Sequence, residues 1–187
     1  MTKKRCFWAE NGTKLEKKYH DEEWCEINKD DKYLFEMLVL EGAQAGLSWR
    51  TILERRENYR ASFDNFDIDK IINYDNKKIE ELLNNPGIIR NKLKIKSVIK
   101  NAMAFKKIQE EYGNFSNYIW AFTDNKQIIN SYNHYSEMPA SSDLSKKISK
   151  DLKRCGMSFV GEVIIYSYLQ AIGIIVDHEK SCFKYKK

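Results

Sequence analysis

Apolar residues return every three or four positions along nearly all of this chain, and that period constrains the fold more than any single motif. The clearest case lies between Asn91 and Tyr112. There Ile95, Val98, Ile99, Ala102, Phe105 and Ile108 form one stripe, and Gly113 supplies the stop. Such spacing lines one face of an α-helix, and a glycine just past the last helical residue ends it. Two prolines and eight glycines in 187 residues are too few for long linkers or an all-β sandwich. The expected fold class is all-α, in a single unit spanning residues 1–187. With 42% hydrophobic and 13% aromatic residues, the chain can close a core.

Capping residues place the other helices. Residues 1–28 read as irregular. Asp30 or Asp31 caps a helix through Leu34, Met37, Leu38 and Glu41, all on one side. Ser48 caps the next, which ends near Phe63. Short helices are expected over 67–73 and, capped by Asn76, over 77–83, before Pro86-Gly87 breaks the chain. Another short helix covers 117–122, and 123–140 is a polar connection. Ser142 or Asp143 caps a helix through Leu144, Ile148 and Leu152. The helix over 162–172 is apolar nearly all round and so should be deeply buried. Residues 177–182 are polar again.

Chemistry concentrates in three places. The first is Tyr33–Trp49, where Glu41 ends an otherwise apolar face and is followed by Gly42, Gly46 and Leu47-Ser48-Trp49. A buried acid is costly without a partner, and the missing partner reads as a ligand. Trp8, Tyr19, Trp24 and Trp49 all fall in the first 49 residues. Aromatic faces with one carboxylate suit a planar, cationic or electron-poor ligand; plain core packing is the other reading.

The second is a pair of Cys/His sets near opposite ends of the chain. His178 and Cys182 stand at i and i+4, sharing a face if the segment is helical. Cys6 and His20 form the other set. A Cys2His2 site would clip the two ends together, and four protein ligands would leave no open position, making such a zinc structural. A buried thiol with two solvent-facing histidines is the alternative. The third is the turn Gly156–Gly161, preceded by Lys146, Lys147, Lys150, Lys153 and Arg154. Backbone N–H groups of a glycine hairpin can face a phosphate, with lysines adding sequence-independent affinity. An ordinary helix connection with a solvated basic face fits as well.

Net charge is +5, from 32 basic and 27 acidic residues. That permits nucleic-acid binding through a local patch without demanding it. No run of about 18 apolar residues offers a membrane span, and no apolar signal segment follows Met1. A cytoplasmic location is expected, with the four cysteines as thiols or metal ligands.

Taken together, Cys6-Phe-Trp8, Tyr19-His-Asp-Glu-Glu-Trp24, the block from Leu34 to Trp49, Arg56-Glu-Asn-Tyr-Arg60, Gly87-Ile-Ile-Arg90, Phe159-Val-Gly161, Tyr166-Ser167 and Asp177-His178 resemble the DNA-3-methyladenine glycosylase I family of the helix-hairpin-helix superfamily. The resemblance covers essentially the whole chain. It implies a helix-hairpin-helix DNA glycosylase fold, with a zinc-bearing lobe built from both termini. It also implies a monofunctional enzyme that flips 3-methyladenine out of alkylated double-stranded DNA and hydrolyses its N-glycosidic bond, releasing the free base.

By position, Glu41 is then the acid that contacts the extruded base. Tyr19 and Trp49 are pocket residues, with Trp8 and Trp24 as further walls. Leu47 is the wedge, with Gln44 and Gly46 beside it. Gly156, Phe159 and Gly161 belong to the DNA-anchoring hairpin, and Cys6, His20, His178 and Cys182 are the ligands of one structural Zn2+. Asp177 is the nearest counterpart of the superfamily's aspartate, or else a support for His178. Two departures stand out. Phe159 occupies the hairpin's usual first glycine, and Cys25 follows Trp24 where glycine is usual. No lysine stands out as a Schiff-base nucleophile, so no lyase activity is expected. A non-catalytic helix-hairpin-helix DNA-binding module is the alternative, and a zinc hydrolase would need an open metal position. No sequence signal for oligomerisation exists, so a monomer is expected.

Overall fold

The structure is a computed structural model that describes residues 3–186. Among the described residues ten α-helices run in chain order: α1 (Phe7–Glu10), α2 (Lys14–Glu22), α3 (Asp31–Gln44), α4 (Trp49–Ser62), α5 (Ile68–Ile71), α6 (Asn76–Asn84), α7 (Lys92–Tyr112), α8 (Phe115–Ala121), α9 (Asp143–Arg154) and α10 (Glu162–Ala171). None is long and apolar enough to cross a membrane. Asp30, Ser48, Asn91 and Ser142 are N-caps, each accepting from a backbone N–H in the first turn. Gly113 ends α7 with φ 82°.

α3 is the axis of the molecule. Every residue from Leu34 to Ala43 is buried, so α3 has no solvent face, in contrast to the single apolar side expected. One of its two buried carboxylates, Glu36, is neutralised inside the protein. Arg56 Nε lies 2.6 Å from Glu36 and Arg60 Nη2 2.8 Å from it, while Arg56 Nη1 reaches Glu23 at 2.8 Å. This network joins the end of α2 to α3 and α4. It lets α3 be surrounded, with α4, α7, α8 and α10 packed around it.

Several sequence expectations need correcting. The described part of residues 1–28 is not irregular but carries α1 and α2. Thr13 and Glu16 form a reciprocal capping box that starts α2. Asp75, not Asn76, caps α6. α8 begins at Phe115 because the Asn114 side chain accepts from Asn117 N at 2.6 Å. The polar connection 123–140 contains a two-residue strand, β1 (Ile128–Ile129). It pairs in parallel with β2 (Ile175–Val176), Ile128 opposite Ile175. Residues 177–182 form no helix, because that segment continues from β2 instead. α10 is not buried all round: Val163 is 53% exposed near its start.

Both departures from glycine noted in the sequence fall where the backbone is left-handed. Cys25 has φ 64° and Phe159 φ 55°, a region that costs a side chain roughly 1–2 kcal/mol.

Candidate functional site

Five elements meet at a cleft of about 490 Å³ walled by Trp8, Tyr19, Trp24 and Trp49, with Glu41 and Gln44 among its lining residues. That volume is in the usual range for a small-molecule pocket. The capping box orients α2 so that Tyr19 is buried and turned toward Trp49, ring centroids 5.2 Å apart. Trp8 meets Trp24 edge-to-face at 5.2 Å. Trp49 opens α4 directly after its Ser48 cap.

Glu41 occupies the last full turn of α3 and is buried, with no hydrogen bond or ion pair to any described residue. Burial pushes its carboxyl up to about 8. The cleft thus holds an acid that is mostly neutral at pH 7 and would ionise beside a cation.

The turn after α3 is exposed. Gly46 has φ 77°, a left-handed conformation that favours glycine, and Leu47 projects with 41% of its surface exposed. A smaller cleft of about 160 Å³ runs between this turn and the start of α10. It is lined by Leu47, Val163 and Ser167 and shares Glu41 with the aromatic cleft. The hairpin joining α9 to α10 lies nearby. A Cβ on Gly42 would stand 3.3 Å from the Cβ and carbonyl of Phe159, so α3 and the hairpin meet at a glycine. The N–H groups of Phe159, Val160 and Gly161 donate to no acceptor among the described residues. The five basic residues of α9 are all exposed.

The Cys/His sets come together. The ligand atoms of Cys6, His20, His178 and Cys182 lie within 4.8 Å of one another, and all four residues are buried. The histidines therefore do not face solvent. Cys182 Sγ is 3.4 Å from His20 Nε2 and 3.7 Å from His178 Nδ1, and Cys6 Sγ is 3.5 Å from His178 Nδ1. Metal–sulfur bonds of about 2.3 Å and metal–nitrogen bonds of about 2.0 Å in a tetrahedron give edges of about 3.5 Å, which these separations fit. The interaction between the two thiol groups pushes Cys6 up and pulls Cys182 down. His20 Nδ1 is paired with Asp21 at 2.9 Å, and Arg5 holds Asp21 at 2.7 Å. Such an outer carboxylate fixes the ring that offers its other nitrogen to a metal. The cluster is also the back of the cleft, since Trp24 packs edge-on against His178 at 4.8 Å.

Asp177 is fully buried and accepts from Tyr166 Oη, Gln170 Nε2 and Asn130 Nδ2, each at 2.7 Å. None of these bonds reaches His178. Its visible effect is to hold Gln170 at the cleft.

Other lining residues had no pocket role assigned from the sequence: Glu16, Tyr135, Met138, Ser167 and Gln170. Ser167 and Gln170 are polar interruptions one turn apart in apolar α10, a readable signal. Tyr135 and Met138 stand in the connection taken as merely polar. Glu179, buried behind them, accepts from Tyr135 N at 3.0 Å and Phe7 N at 3.1 Å, a long-range tie with no local signature.

A family model described as methyladenine glycosylase matches residues 8–185. The chain is 41% identical over 181 residues to DNA-3-methyladenine glycosylase 1 of Escherichia coli (strain K12), covering 97% of this chain and 96% of that one. It is similar to a crystal structure of 3-methyladenine DNA glycosylase I, with TM-score 0.93 and 41% identity over 98% of this chain and 100% of that one. It is also similar to the Staphylococcus aureus 3-methyladenine DNA glycosylase I whose recognition of 3-methyladenine has been described structurally. There the TM-score is 0.91 and the identity 33%, over 95% of this chain and 94% of that one.

Proposed function

The chain belongs to the methyladenine glycosylase family, and from that premise we propose that it hydrolyses 3-methyladenine from alkylated double-stranded DNA by drawing the base into the aromatic cleft over Glu41. The observation that carries this reading is the partnerless, buried Glu41 in a cleft of planar faces. Adenine methylated at N3 is cationic while still attached to its sugar. It supplies the positive charge that Glu41 lacks and flat faces for Tyr19 and Trp49.

The chemistry needs little more. When the C1′–N9 bond breaks, its electron pair moves onto the purine, which leaves as neutral 3-methyladenine without being protonated. Water adds at C1′ and loses a proton. The protein's work is to extrude the nucleotide, hold the base, and provide negative charge near a sugar that becomes positive. A poorly stacked and paired lesion costs less to flip, which itself favours damaged sites. Glu41 in this reading recognises the base and stabilises charge; it is not an obligatory general base. Leu47 fills the gap left in the duplex, with Gln44 and Gly46 beside it. The free N–H groups around Phe159, with Gly156 and Gly161 shaping the turn, take a backbone phosphate.

Zinc is the metal best suited to the Cys6, His20, His178 and Cys182 donor set. Bound there it would supply a closed tetrahedral clip with no position for a reacting water. We read residues 1–187 as one catalytic unit, acting as a monomer in the cytoplasm.

The test is to incubate the protein with methylated duplex DNA and identify the released bases. Free 3-methyladenine in clear excess over 7-methylguanine is expected. Comparable release of 7-methylguanine or of unmodified bases would overturn narrow recognition, and no release would favour a binding module. For Glu41→Gln, single-turnover release falls by less than about four orders of magnitude, since general-base loss typically costs 10²–10⁴-fold. A larger loss with free-base binding intact would assign Glu41 to proton transfer.

A further inference from the structure

The turn carrying Leu47 and the hairpin carrying Phe159 belong to different parts of the chain, yet both are gripped by one helix. Lys94 of α7 donates to the carbonyl oxygens of Ala43 and Ala45, at 2.8 and 2.7 Å. These are carbonyls at the end of α3, where helical partners run out and a cation is favoured. Asn101 of α7 is 3% exposed. It makes two reciprocal bonds to the hairpin, Nδ2 to Ser158 O and Ser158 N to Oδ1, both 2.9 Å. Lys94 and Asn101 are seven residues apart, two helical turns, so they share one face about 10 Å apart along the axis. α3 and the hairpin also touch directly where Gly42 meets Phe159.

We propose that Lys94 and Asn101 are positioning residues that use α7 as a rigid spacer, fixing the distance between the Leu47 wedge and the phosphate-binding hairpin. The inference rests on the wedge and hairpin roles proposed above. Neither side chain lines the aromatic cleft. Their effect is on whether Leu47 enters the helix while the hairpin holds the backbone, because a turn whose entry is pinned at two carbonyls cannot drift from its target. Lys94 is half-buried, so the neutral and similarly long Lys94→Met removes the grip with little change in packing.

Three quantities are measured for Lys94→Met and Asn101→Ala. They are single-turnover release from methylated duplex, affinity for free 3-methyladenine, and fluorescence of 2-aminopurine flanking an abasic-site analogue in a duplex. Release falls tenfold to a hundredfold, the range expected for about 1 Å of misplacement. The fluorescence rise that reports wedge insertion shrinks, and free-base affinity stays within about twofold. Normal release by Lys94→Met, or a parallel loss of free-base affinity, would overturn the spacer role. Leu47→Ala is run alongside. If it releases base at the normal rate, the wedge reading itself has failed. If it is slow while Lys94→Met is normal, only the grip of α7 has failed.

Discussion

Glu41, buried without a partner, costs the folded protein stability, and the cost is visible as a pH dependence. Its carboxyl is raised from 4.5 to about 8 by burial alone. The folded state therefore holds a proton that the unfolded chain releases between those values. Stability is fully present below the unfolded value and is lost as pH rises through the folded one. Glu41→Gln carries no such proton. Denaturation at pH 5 and pH 8.5 should show the variant gaining on the parent by roughly 3–5 kcal/mol across that window. An unchanged difference would mean that Glu41 is better solvated than its burial indicates. The same group gives activity the opposite slope. For release from methylated duplex, kcat/KM rises toward an apparent pKa near 8 set by the free protein. The kcat profile turns at a lower pH, because the bound cation favours the carboxylate.

At the scale of elements, the buried network around α3 decides how the cleft walls are held. Arg56 bridges Glu36 of α3 and Glu23, beside the Trp24 wall. Removing one partner strands a buried charge, so Arg56→Met should destabilise by about 3 kcal/mol or more, read as a shifted denaturant midpoint. Adding Glu36→Leu should recover part of that loss. Helix identities were legible in the sequence because caps such as Asp30 and Ser48 are local signals. α2 is a helix that the sequence reading missed, because its aromatic-rich surroundings masked the capping box of Thr13 and Glu16. The burial of Glu36 was not legible, since only the fold brings Arg56 and Arg60 to it. The aromatic walls and the Cys/His sets came from residue type and family resemblance. Tyr135, Met138 and Glu179 did not, because they reach the cleft through contacts distant in sequence. Cys25 and Phe159 were noticed only as missing glycines, and the left-handed backbone gives the physical reason that glycine is usual there.

Across the whole molecule, the Cys6–His20–His178–Cys182 cluster joins segments from the two ends of the chain, and the Trp24 wall leans on it. If it holds zinc, one equivalent should be found by elemental analysis. Strong chelation should then lower the melting temperature by roughly 10 °C, as expected when a few kcal/mol of binding energy is withdrawn. Free 3-methyladenine affinity should fall in step. Cys182→Ser should reproduce both effects; a metal-free protein with unchanged melting would rule out the clip. The order of these four residues also has a consequence during synthesis. Cys6, His20, Trp8 and Trp24 emerge from the ribosome long before their partners, with His178 following Cys6 by 172 residues. The Trp24 wall therefore has nothing to lean on until that far segment has been made. A product truncated before His178 would keep the hairpin and its basic helix while lacking the backing of the aromatic cleft.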